Sequence, residues 1–460
     1  MNELPVQLLI DSACGSKKRE SLVCSFVYRD IPGQRKVYEA NWKGQAVIVK
    51  LFLNRFKAGC HLRREWYGLT RLHARGLNSP EPLFYGKTEK GDRAIVMEKI
   101  VDSRPVIEKF LEITNKQEKF ALLIQVCREL AIHHQKGVFQ KDLHLGNFLQ
   151  QADKLFAIDP SEIRFHSGPL TRKKSICQLA SLAACLPDED PTLIEQLCKE
   201  YANVRDWEFG RADKDLFERL LMIQKEKSVS KTLKKCLRTS KRYLRIKTKE
   251  SFAVFSRDFC QDAEPLDFIN RIDVLMDKGR ILKNGNTCYV SRIEWNGKDI
   301  VIKRYNHKSV IHSLRHTLKK SRARRVWVNG HRLLMLNVTT PKPVAYIEKY
   351  KGFLVWQSYV ITEFIKGQNF YNFLHDEKVT EQQRSETIEQ VKKIIGKLGK
   401  YKISHGDLKQ SNILIAEQGP VLTDLDAMKA HKCIFLYKIK RRKDILTFSK
   451  HLSGSFAELF

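Results

Sequence analysis

Residues 404–414 read SHGDLKQSNIL, and residues 139–149 read FQKDLHLGNFL. In each, an Asp-Leu pair is followed by an Asn five residues past the Asp and then by an apolar run. Asp and Asn favour turns and caps, so either stretch alone decides little. The segment after each loop repeats as well: LFAIDPS at 155–161 and PVLTDLD at 420–426 both read as a strand ending in Asp. Asp142 to Asp159 and Asp407 to Asp424 are both seventeen residues apart. Self-similarity of this kind has to be read before single elements.

Working outward, each half carries a strand with a lysine near its end, QAVIVKLF (45–52) and KDIVIKRY (298–305). A Gly-containing turn precedes each, WKGQ and WNGK, and such turns between apolar runs signal hairpins. Basic helical stretches follow, HLRREWYGLTRLHARG (61–76) and SRARRVWVNGHRLLML (321–336), then proline pairs in SPEPLFYG and TTPKPVAYI. An apolar strand with an acidic residue comes next, AIVMEKI (94–100) and YVITEFI (359–365). At 460 residues the chain is too long for one ordinary domain. The order predicts two α+β domains, each a small β-rich lobe followed by a short, mostly helical one. The expected boundaries are 1–225, a basic helical linker at 226–262 with Leu233, Leu237 and Leu244 on one face, and 263–460.

These residue types in this order suit phosphoryl transfer, which needs a positioned metal, neutralised phosphates and a partner for the attacking hydroxyl's proton. Asp142 and Asp407 are the candidate bases. Asn147 with Asp159, and Asn412 with Asp424, are the candidate Mg²⁺ ligands. Lys50 and Lys303 are candidates for the ATP phosphates, and Glu65 would hold Lys50 in place. The set is that of protein-kinase-like domains in tandem. In the second half Val326 aligns with Glu65 and no acid lies nearby. His144 and Lys409 occupy matching positions two past each Asp. Neither hairpin has a full G-x-G-x-x-G; Gly33 and Gly285 are what remains. Glu98 and Glu363, at the lobe junction, are expected to be structural, and Trp66 and Trp327 to pack helices.

Both halves resemble the lipopolysaccharide core kinases, the Kdo/heptose kinase family of the protein-kinase-like superfamily. The second half, with RARRVWVNGHRLLMLNVTTPKPVAYIE, SHGDLKQSNILI and VLTDLDAMK, is the nearer. The resemblance implies ATP- and Mg²⁺-dependent phosphorylation of a lipid-linked inner-core sugar at the cytoplasmic face of the inner membrane. In kinases of protein substrates a lysine at the place of Lys409 steadies the transferred phosphate. No Ala-Pro-Glu element follows Asp159 or Asp424, so a sugar or other small acceptor is expected over a peptide. Alternatives are a catalytically inactive tandem pseudokinase scaffold at the membrane, or a kinase of another small-molecule or protein acceptor.

The charge balance points the same way without choosing. A net +31 predicts an anionic partner: nucleic acid, an acidic membrane or a phosphorylated substrate. No reader motif with interleaved aromatics occurs, which ranks nucleic acid last. The basic stretch 225–250 is a candidate for an anionic leaflet or simply a solvated helix. The 11 cysteines, Cys14 among them, are scattered with no zinc-ligand spacing, as in a cytosolic protein with reduced thiols. The amino terminus has no basic n-region, and no run of about 18 apolar residues predicts a span.

Overall fold

The computed structural model describes residues 4–13, 18–31, 33–53, 56–186, 191–240, 242–259, 265–306 and 320–450. Cys14 and parts of the expected linker (241 and 260–262) lie outside the described residues. The chain divides into two compact units, Met1–Glu226 and Lys227–Phe460.

The first unit opens with β1 (Val6–Ser12), β2 (Arg19–Ile31), β3 (Arg35–Trp42) and β4 (Gln45–Phe52). Helix α1 (Ala58–His73) follows, then β5 (Pro82–Thr88) and β6 (Arg93–Glu98). The strands close a barrel in the order β1-β2-β3-β4-β6-β5. The β3–β4 turn has positive φ at both Lys43 (53°) and Gly44 (86°), the primed geometry that matches strand twist. Along β4 the side chains alternate: Val47, Val49 and Leu51 fill the barrel core, while Ile48 and Phe52 face a cluster containing Leu62 and Leu69 of α1. Lys50 has the parity of Ile48 and Phe52, so the strand presents it to α1.

After β7 (Arg104–Pro105) the unit becomes mainly helical: α2 (Val106–Glu112), α3 (Lys116–Gln135), α4 (Arg172–Ala183), α5 (Pro191–Val204) and α6 (Arg211–Lys235). Phe110, Val126, Leu130, Leu179 and Tyr201 share its core. Short strands β8 (Val138–Gln140), β9 (Phe148–Gln151), β10 (Lys154–Ala157) and β11 (Ile163–Phe165) frame the Asp142 loop. Gly68 lets α1 pass close over the Asp159–Pro160 turn, since a Cβ there would lie 2.7 Å from the Pro160 side chain.

The second unit differs from the expected boundaries. Of the described residues in 226–262, the first ten continue helix α6 as expected, but Val229, Leu233, Cys236, Tyr243 and Val254 belong to this unit's core rather than to a solvated linker. Beyond α6 the stretch forms β12 (Tyr243–Lys247) and β13 (Ser251–Ser256), and Leu244 sits on a strand. Trp327 donates its indole N–H to the Cys236 carbonyl at 2.8 Å, tying the stretch to the core. Beside their cations, YLRIK and SFAVFS carry the β-branched and aromatic residues of a paired strand.

The unit continues with α7 (Pro265–Lys278), β14 (Arg280–Gly285), β15 (Cys288–Trp295), β16 (Lys298–Asn306), α8 (Arg322–Met335), β17 (Pro343–Lys351) and β18 (Leu354–Glu363). Its seven-stranded sheet runs β12-β13-β17-β18-β16-β15-β14. The sub-order β14-β15-β16-β18-β17 reproduces β2-β3-β4-β6-β5 of the first unit. The β15–β16 turn again has two positive φ values, at Asn296 (49°) and Gly297 (71°). Beyond the sheet come β19 (Gln368–Asn369), α9 (Phe370–Leu374), α10 (Glu381–Lys400), β20 (Ile403–Ser404), β21 (Ile413–Ala416), β22 (Gly419–Leu422), β23 (Lys429–Ala430) and α11 (Ile434–Ser449). A capping box of Thr380 and Gln383 starts α10.

Candidate active site

In the first unit Lys50 is paired across the sheet with Val37 on β3 and Ile95 on β6, in the middle of the barrel wall. Glu65 lies in the buried stripe of α1 between Leu62 and Leu69. The Lys50 ammonium donates to Glu65 Oε1 and to Asp159 Oδ1, both at 2.5 Å. The Glu65 side chain is 1% exposed, and its Oε2 accepts no hydrogen bond from the described residues. Burial pushes the Lys50 ammonium down, but the two carboxylates outweigh it and hold its pKa above the usual value. Lys50 in turn holds Asp159 at about 2 against the opposing effect of burial, with smaller help from Arg35 and Arg29.

The Asp142 loop is fixed by its own Asn. Asn147 donates its side-chain amide to the Asp142 carbonyl at 2.6 Å. Its carbonyl accepts from Ile158 N at 2.8 Å, which brings the loop beside Asp159. Asp159 takes φ 56°, a left-handed turn that ends the strand and starts Pro160 on another path.

The second unit repeats these contacts. Lys303 pairs with Val290 and Val360 in the sheet and donates to Asp424 Oδ1 at 2.6 Å. Burial raises the Asp424 carboxyl, yet Lys303, with smaller contributions from His405 and Arg322, brings it below its ordinary value. Asn412 donates to the Asp407 carbonyl at 2.9 Å, its own carbonyl accepts from Thr423 N at 2.8 Å, and Asp424 has φ 56°. Lys409 lies 2.8 Å from Asp407 Oδ1. A cleft of about 330 Å³ is lined by Lys303, Val326, Val360, Glu363, Leu414 and Asp424, among others.

Where the first unit has Glu65 the second has Val326, an apolar wall of that cleft. Helix α8 is tethered elsewhere: Arg322, in its first turn, donates Nε to Asp426 Oδ2 at 2.8 Å and lies 4.6 Å from the Tyr305 ring centre. Sequence reading missed this pair, although the acid two past Asp424 was there to be noticed. It also missed Asp444, which accepts from His405 N at 2.7 Å and Gly406 N at 2.8 Å and so fixes the chain entering Asp407. Asp444 is a lone acid among the cations of KIKRRKDILTF, and that oddity was its signal. Gln178 of α4 does the neutral equivalent in the first unit, accepting from Gln140 N at 2.9 Å and donating to Gln140 O at 2.7 Å. Glu98 accepts from Glu81 N, and Glu363 lies 3.5 Å from Lys342.

Among the described residues no three His, Cys, Asp or Glu side chains converge as a ready metal cage. The donors present suit Mg²⁺ all the same, since that ion takes one or two carboxylates and completes its shell with phosphate and water. Each Asn uses its amide nitrogen to close its own loop, which leaves its amide oxygen as an acceptor.

The sequence model of the lipopolysaccharide kinase (Kdo/WaaP) family matches residues 273–447, within the second unit. A stretch of 123 residues is 28% identical to the EKC/KEOPS complex subunit BUD32 of Debaryomyces hansenii, covering 24% of this chain and 46% of that protein. The chain therefore spans about half the length of the curated relative it matches. Two crystal structures of the Mycobacterium tuberculosis PknI kinase domain align over 43% of this chain and 94% and 95% of theirs. Their TM-scores are 0.29 and 0.28, with 16% and 15% identity. The family match supports a phosphotransferase with a kinase-like fold, and the family implies ATP and, as a rule, Mg²⁺.

Proposed function

We propose that the protein is an ATP-dependent kinase of a sugar hydroxyl in the lipopolysaccharide inner core, Kdo or heptose. It works at the cytoplasmic face of the inner membrane with two kinase-like domains in tandem. One observation carries the reading: Lys303 and Asp424 meet in the lining of one cleft, and Asn412, bonded to Thr423 beside Asp424 and to the Asp407 carbonyl, ties the Asp407 loop to that point. Within this reading Lys303 neutralises the nucleotide phosphates, and Asn412 and Asp424 hold Mg²⁺, which supplies charge neutralisation at the transferred phosphoryl group. Asp407 takes the proton of the acceptor hydroxyl, and Lys409 beside it steadies the transferred phosphate. In the first unit Lys50, Glu65, Asp142, Asn147 and Asp159 have the corresponding roles.

The test is transfer of phosphate from ATP to purified core oligosaccharide, read by mass. Asp407→Ala should lower the rate by about 10²–10⁴, as expected for a lost general base. Asp142→Ala and the double variant show what the first unit adds. A double variant as active as wild type sinks the mechanism. Val326 in place of a helix carboxylate favours a second reading, in which the second unit is a nucleotide-free scaffold. A thermal shift with Mg²⁺ and millimolar ATP in an Asp142→Ala/Asp159→Ala background separates the two, because only a binding-competent second unit responds.

A further inference from the structure

Helix α11 turns Tyr437, Asp444 and Phe448 inward. Its opposite side carries three exposed apolar side chains among cations: Phe435 is 66% exposed, Ile439 51% and Leu446 56%. At roughly 100° per residue these three fall within about 40° of one another around the helix. Arg442 and Lys443, both exposed, border the stripe on its two sides, and exposed Lys432, Lys438 and Lys440 lie nearby. Large side chains of this kind in a contiguous stripe mark an interaction surface. The charge complementarity names the partner class. A helix with aliphatic and aromatic groups on one side and cations at its borders fits the boundary between acyl chains and anionic headgroups. A nucleic acid would engage the cations and leave Ile439 and Leu446 in water.

We infer that α11 lies in the interface of an anionic bilayer, with Phe435, Ile439 and Leu446 among the acyl chains and Arg442 and Lys443 at the headgroups. This deepens, and rests on, the reading of the acceptor as lipid-linked. The same helix holds the catalytic loop from its inner side, through Asp444 and the amides of His405 and Gly406. Docking of α11 therefore sets the Asp407 loop about one helix diameter, roughly 10 Å, from the interface. That is within reach of the first sugars of a membrane-anchored acceptor.

The experiment is sedimentation of the full-length protein with phosphatidylglycerol/phosphatidylcholine vesicles against phosphatidylcholine alone. Wild type should bind the anionic vesicles, and binding should weaken with salt. Arg442→Gln/Lys443→Gln should lose about twenty-five-fold, roughly fivefold per cation. Phe435→Ser/Ile439→Ser/Leu446→Ser should lose at least as much while melting at the wild-type temperature and phosphorylating soluble core oligosaccharide at the wild-type rate. As an independent measure, the emission of Phe435→Trp should shift to the blue only with anionic vesicles. Full vesicle binding by both multiple variants, or binding of RNA in place of vesicles, overturns the inference. Vesicle binding needs no catalysis, so the two ideas fail separately. Binding with no phosphoryl transfer sinks the kinase reading alone, and transfer to soluble acceptor with no vesicle binding sinks this surface alone.

Discussion

Removing the two partners of the Lys50–Glu65 pair one at a time should have unequal effects on the first unit. Lys50→Met strands Glu65, whose side chain is 1% exposed and whose Oε2 already lacks a partner among the described residues. A charge left alone in such a place costs about 3–5 kcal/mol. Glu65→Leu leaves Lys50 its 2.5 Å contact with Asp159, so the loss is that of one charge-assisted hydrogen bond, about 1.5–3 kcal/mol. The double variant removes both charges and puts apolar groups among Ile48, Phe52, Leu62 and Leu69, and should return toward wild type. Hydrogen exchange of peptides from β4 and α1 reads these values in the intact chain without interference from the second unit. Equal damage from Glu65→Leu and Lys50→Met, or a double variant no better than the worse single one, would refute this account of the pair.

Three further outcomes rest on other contacts. Asp444→Ala should lower kcat by about 10–100-fold with little change in the KM for ATP, since it frees the chain leading into Asp407. Asp444→Asn keeps one acceptor and should recover part of the loss, and steady-state kinetics with soluble oligosaccharide reads both. Gly68→Ala should destabilise the first unit by about 1–3 kcal/mol, because the added methyl meets Pro160 at 2.7 Å; urea unfolding followed by exchange of α1 amides measures it. Asp159 has a depressed folded-state pKa, so its contribution is complete above the ordinary value of 3.8 and is lost as pH falls from there toward about 2. The acid limb of a stability–pH curve should therefore be shallower in Asp159→Asn than in wild type.

The parts of the fold readable from sequence were those fixed by local rules. Asn296-Gly297 specifies a primed turn by composition alone, and Lys43-Gly44 does so through its glycine. The alternation of QAVIVKLF gives a strand with Lys50 on the Ile48 side, and the position of Glu65 within an apolar stripe gives the helix that faces it. The structure brings Lys50, Glu65 and Asp159 into contact, and likewise Lys303 with Asp424 and Asn412 with Asp407. Illegible features depended on distant partners. Residues 243–256 become strands because β17 offers an edge to pair with, which their Lys and Arg content conceals. Asp444 matters through amides nearly forty residues away, and Arg322 through Asp426, about a hundred residues on. Neither spacing has a local signature.

The tether between Arg322 and Asp426 bears on control. In the first unit a swing of α1 away from the sheet would pull Glu65 off Lys50, so the lysine registers where that helix stands. In the second, α8 offers Lys303 no carboxylate, but Arg322 moors the helix to Asp426, two residues past the Asp424 that Lys303 holds. A regulator that levers this helix would act on the lysine's helix partner in the first unit and on the strand-end carboxylate segment in the second.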